Sequence, residues 1–151
     1  MTAEPVLVGE MNPYGGDPFF ALYCEPPNSA GGRLQRRVLG LPRWNYLEIK
    51  RRNLCTGKWS RPKARGAAAA LTQLFPYPGH KIVLLGSKVC DAFHVAYQPF
   101  STAERGDIEY YVILPHPSGL NRLWNEPGAF ERAQALMKIE FPHIFFGTHK
   151  E

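Results

Sequence analysis

The chain has 151 residues, 44% of them hydrophobic and 21% charged, enough for one domain, residues 1–151, with its own core. No apolar run approaches the ~20 residues that cross a bilayer, so no membrane attachment is expected. MTAEPVLVGE lacks the basic and apolar regions of a signal peptide. Cys24, Cys55 and Cys90 are odd in number and widely spaced, which argues against a disulfide framework or a zinc site and suits a reducing cytoplasm.

Net charge is +5, from 18 Lys+Arg against 13 Asp+Glu. The excess is concentrated. Residues 33–65 hold Arg33, Arg36, Arg37, Arg43, Lys50, Arg51, Arg52, Lys58, Arg61, Lys63 and Arg65, opposed only by Glu48. Interleaved with Trp44, Tyr46 and Trp59, this block reads either as a surface for a phosphate backbone or as a solvated face.

In chain order, the first β-like run is 5–8 (PVLV). A helical stretch comes next over 29–39, opened by Ser29 as a cap. A second, weaker run covers roughly 46–53, interrupted by Lys50-Arg51-Arg52. A helix over 64–75 comes after Arg61-Pro62 and stops before Pro76. The third run is 81–85 (KIVLL), and Ser87 is placed to cap a helix over 88–93. The fourth run is 110–114 (YYVIL). Glu126-Pro127 opens a last helix that ends near Ile139. The first, third and fourth runs are continuously apolar, as in strands buried on both faces. Strands alternating with helices predict an α/β fold: a three-layer α/β/α sandwich around a four-stranded, mostly parallel sheet.

Ligands of such sheets bind beyond the carboxyl ends of the strands. The segments that meet there are GEMNPYGGDPFF (9–20), NLCTG (53–57), Gly86-Ser87 and HPSGLN (116–121). His116 stands between Pro115 and Pro117, which restrict the backbone on either side of it.

GEMNPYGGDPFF after the first strand and HPSGLN after the last resemble the two motifs of the uracil-DNA glycosylase superfamily. Asn12-Pro13 is similar to the Asn-Pro of the mismatch-specific and single-strand-selective branches. Tyr14 is similar to the tyrosine of the Asp-Pro-Tyr branch, and Gly9-Glu10 to the start of the iron–sulfur branches. Those last branches hold a cluster on four cysteines, which three cysteines at other spacings do not match, so no metal or cofactor is expected.

The resemblance implies roles. Asn12 would position the attacking water, and His116 would donate a hydrogen bond to the departing base. Asn53 would read uracil's edge with one donor and one acceptor. Tyr14 would exclude the thymine methyl, and Phe19 or Phe20 would stack on the base. Phe20 is favoured slightly, because neighbours in an extended segment point opposite ways. Ser118 would clamp a phosphate and Leu120 would fill the gap left by a flipped base. Lys58, Arg61, Arg65 and Arg122 would touch the DNA backbone.

Each residue has a plainer reading: Asn12 and Asn53 as turn or loop residues, Phe19, Phe20 and Leu120 as core cover, His116 as a capped structural histidine. His80, His94, His143 and His149 have no metal-like spacing. Three functional classes stay open: a monomeric base-excision enzyme acting on uracil in DNA, cytoplasmic with the nucleoid or nuclear; an enzyme of the same fold acting on free or modified nucleotides; and an inactive nucleic-acid-binding module.

Overall fold

A computed structural model describes residues 2–12, 15–118 and 120–145, with the side chain of Asn12 outside that set. The fold is mixed α/β. Strands β1 (Glu4–Asn12), β2 (Lys50–Thr56), β3 (His80–Leu85), β4 (Ser101–Arg105) and β5 (Glu109–Leu114) form one sheet in the order β2-β1-β3-β5-β4. All neighbours are parallel except β4 and β5, which pair antiparallel.

Alternation along the central strands divides the core. Leu7, Val83, Leu85, Val112 and Leu114 face one apolar cluster; Val6, Val8, Ile82, Leu84, Tyr111 and Ile113 face another. Helix α3 (Arg61–Leu74) and helix α4 (Ser87–Ala92) contribute Ala64, Ala68, Leu71, Val89 and Cys90 to the second cluster. The first cluster is closed by α5 (Ala129–Glu140), through Ala133 and Met137, and by the π-wound turns Leu34–Leu39 that continue α1 (Ala30–Arg33). The three cysteines are free and buried, Cys24 in the first cluster and Cys55 and Cys90 in the second.

Several elements differ from the sequence expectation. The sheet has five strands rather than four. The extra strand, β4, is an edge strand of sequence STAER, mostly exposed, so no apolar run marks it. The second strand is displaced because Arg43–Leu47 forms a short helix, α2, which turns Tyr46 into the core. There the Tyr46 hydroxyl donates to the Leu22 carbonyl at 2.6 Å. Ser87 is the first residue of α4 and Gly86 occupies the cap position. The last long helix starts at Ala129, after a 3-10 turn over Arg122–Asn125 and Gly128 at φ +80°. A short helix α6 (Pro142–Phe145) comes after it. Ser29 does cap α1, accepting from the Gly32 amide at 3.0 Å.

No described helix is long and apolar enough to cross a membrane.

Candidate active site

β1 and β2 run parallel with Gly9 opposite Asn53. A Cβ on Gly9 would sit 2.6 Å from Asn53 Oδ1 and 2.8 Å from Leu22 Cδ2, so only glycine leaves the Asn53 amide its place. Beyond these strand ends a cavity of about 290 Å³ is lined by Glu10, Met11, Leu22, Ala30, Asn53, Gly57 and His116. Three segments far apart in sequence therefore meet at one edge of the sheet.

Asn53 is the unusual group. Its Oδ1 and Nδ2 are both buried and neither has a hydrogen-bond partner among the described residues. Leaving such an amide unpaired costs about 1–3 kcal/mol. A donor and an acceptor held side by side at a cavity wall suit a ligand presenting the complementary pair.

His116 comes directly after β5 and Pro115 and is half-buried. Its Nδ1 accepts from the Ser118 amide at 3.2 Å. In the neutral ring the proton then sits on Nε2, which is left as a donor. Burial holds the imidazole pKa below its ordinary value; the nearby Glu10 carboxylate opposes that shift and Lys88 adds to it.

The backbone of His116 is anchored as well. Its carbonyl accepts from Trp124 Nε1 at 2.7 Å and from Asn121 Nδ2 at 3.1 Å, and the next carbonyl, of Pro117, accepts from Arg33 Nε at 2.9 Å. Gly86, at φ +99°, brings the end of β3 so close that a Cβ there would lie 3.0 Å from His116 Cβ. Sequence reasoning misses Trp124, Asn121 and Arg33 in this role. The indole stands close to HPSGLN in the chain, but nothing in a linear sequence says which carbonyl it will reach.

The remaining expected residues divide. Tyr14 lies outside the described residues; for Asn12 the backbone is placed, opposite Thr56, and the side chain is not described. Phe19 and Phe20 do not line the cavity. Residues 18–20 form a 3-10 turn rather than an extended segment, capped by Asp17 Oδ1 accepting from the Phe19 amide at 3.0 Å. Both rings turn outward and pack edge-on at 5.1 Å and against Tyr23. The alternation argument that favoured Phe20 therefore does not apply, and the cavity's apolar walls come from Met11, Leu22 and Ala30.

Ser118 gives its amide to His116, and its Oγ accepts from the Leu120 amide at 3.1 Å. Its hydroxyl proton has no acceptor among the described residues. Leu120 is 93% exposed, so it does not cover the core. Lys58 and Arg122 are exposed, with no ion pair among the described residues.

Arg61 and Arg65, expected at the DNA backbone, both meet Asp91 on the exposed surface. Arg61 makes a two-pronged contact to Asp91 at 2.9 and 3.0 Å, and Arg65 joins it at 3.5 Å. The hydrogen bond from Arg61 holds the Asp91 carboxyl below its ordinary pKa. Much of the basic block is similarly committed. Arg36 and Arg43 share Glu25, at 3.0 and 2.9 Å. Arg51 is buried and donates to the carbonyls of Phe19, Ala21 and Ile49. It thereby fixes the segment that leads into Leu22, and charge in β2 is a structural device rather than a mark against a strand.

No set of three metal-ligating side chains occurs among the described residues. No family model matches the chain, and no curated protein matches it.

Proposed function

We propose that the protein is a DNA glycosylase of the uracil-DNA glycosylase superfamily. It hydrolyses the N-glycosidic bond of a flipped uracil, or a related deaminated base, on a three-layer α/β/α scaffold. The observation that carries this reading is the pairing of two groups in one cavity: the Asn53 amide, unpartnered among the described residues, and His116, whose Nδ1 accepts from the Ser118 amide so that the neutral ring offers Nε2–H.

The chemistry derives from these groups. Asn53 offers an acceptor to uracil N3–H and a donor to O4. As the C1′–N1 bond breaks, its electron pair stays on the base. The His116 Nε2–H hydrogen-bonds the carbonyl oxygen on which that charge collects. Water adds to C1′ and loses its proton to solvent. By resemblance, Asn12 positions that water and Tyr14 excludes 5-substituted bases. Leu120, with nothing packed over it, suits the wedge that replaces the extruded base. Positioning and leaving-group stabilisation then supply the acceleration.

A second reading, an enzyme acting on free or modified nucleotides, is favoured by the pairing of Arg61 and Arg65 with Asp91, which competes with two expected backbone contacts.

The test is excision from labelled single- and double-stranded oligonucleotides carrying one uracil, hypoxanthine, xanthine or thymine mismatch, developed with alkali. Uracil release is expected, lowered at least about a hundredfold in Asn53→Ala and in His116→Ala. Equal release by wild type and both folded variants would sink the site. Release from deoxyuridine or its nucleotide, but not from oligonucleotides, would select the second reading.

A further inference from the structure

Pro115 and Pro117 narrow the conformations open to His116 without choosing one. The residue before a proline still ranges over about 40° either side of its preferred φ. A swing of that size at Cα displaces the far nitrogen of the ring, so something else must set the imidazole within that range.

Trp124 has the means to do so. It is 4% exposed, and a buried indole N–H takes a partner. That partner is the His116 carbonyl, at 2.7 Å. The indole is itself immobilised. Phe130 stacks on it at 4.8 Å with the planes 18° apart, and Phe100 meets it edge-on at 6.0 Å. The Arg37 guanidinium lies 4.3 Å above Phe130, and that of Arg132 lies 4.4 Å above Phe100. The donor therefore belongs to the same connection as His116, but its ring is held by a packed pile reaching into α5, a regular helix. Asn121 adds a second donor to the same oxygen, and its Oδ1 accepts from the Leu123 amide at 3.1 Å.

We propose that Trp124 is a positioning residue for His116. Its N–H fixes the His116 carbonyl, and with it the direction in which Nε2–H points. The role in turnover rests on the reading of His116 as donor to the leaving base; the geometric role does not.

Trp124→Phe keeps a ring in the pile and removes the N–H. In uracil excision its kcat should fall about tenfold to a hundredfold, the cost of a misplaced catalytic group, with KM within about twofold. Nitrogen-15 NMR of the His116 ring should change with it. Wild type should be the Nε2–H tautomer, and the variant should show a tautomer mixture and a pKa moved towards the ordinary value. A folded variant with wild-type kcat and a wild-type His116 titration would overturn the proposal.

If the variant does not fold, wild type still decides. The Trp124 indole proton should exchange far more slowly than that of Trp44, which is 76% exposed; equal rates would mean the contact is absent. A wild-type protein that releases no base from any substrate would refute the glycosylase reading, and the ring NMR would still judge the positioning role. An active wild type with an unaffected variant would refute only the positioning role.

Discussion

His116 shows how a single side chain is set by its surroundings. Burial lowers its pKa and the Ser118 amide occupies Nδ1, so both favour the neutral ring. Protonation would put a second N–H against the Ser118 amide. The folded pKa lies below the unfolded value of about 6.5, so in acid the unfolded chain binds the extra proton. The stability linked to this group is complete above about pH 6.5 and is lost as pH falls from there through the lowered folded value. Urea unfolding at pH 8 and pH 5 should therefore show a larger acid loss for wild type than for His116→Gln. Identical losses would mean that the ring is not held neutral. Asn53 is the complementary case. Its burial without a partner among the described residues is unfavourable, and a ligand is the natural counterpart. Neither property was legible in the residue names alone. The seat of His116 between prolines was visible, but the amide on Nδ1 and the burial of the Asn53 amide at the cavity wall depend on how other chain segments are arranged around them.

Among the elements, the runs 5–8, 81–85 and 110–114 were legible because a strand buried on both faces must be apolar throughout. β4 was not, because an edge strand satisfies only half of its backbone through the sheet and tolerates STAER. The second strand was mislaid for a different reason: WNYLEI has no helix signal strong enough to separate α2 from β2, and only the docking of Tyr46 under Leu22 settles it. The β3–α4 junction carries the clearest expectation among these elements. Gly86 combines φ +99° with a close approach to His116. Gly86→Ala should lower stability by about 1–3 kcal/mol from backbone strain and lower kcat beyond that by pushing His116 aside. Calorimetry and excision rates on the same preparation separate the two effects, and an unchanged melting temperature would show the position to be permissive.

For the molecule as a whole, a net charge of +5 says less than its arrangement. Of the four cations expected to meet DNA, Arg61 and Arg65 are held by Asp91, while Lys58 and Arg122 have no carboxylate partner among the described residues. Two phosphate contacts imply a slope of about −2 in log K against log salt on duplex DNA. Titration of DNA binding by fluorescence anisotropy from low to physiological salt should give that shallow slope. Arg61→Gln should change affinity less than about twofold. A slope of about −4 or steeper, or a large loss in Arg61→Gln, would show that DNA pulls these arginines away from Asp91.

Local composition was enough to fix the mixed α/β class, the mostly parallel sheet and the edge at which polar residues gather. Apolar runs make buried strands, and Gly, Pro and Asn cluster where strands end. Which charges are free, which aromatic rings face outward and which donors hold His116 were settled only when the chain folded. Those outcomes turn on pairings across long separations, Arg33 with Pro117, Arg61 with Asp91, Gly9 with Asn53. A residue's type states what it can bond, and the fold alone states what comes within reach.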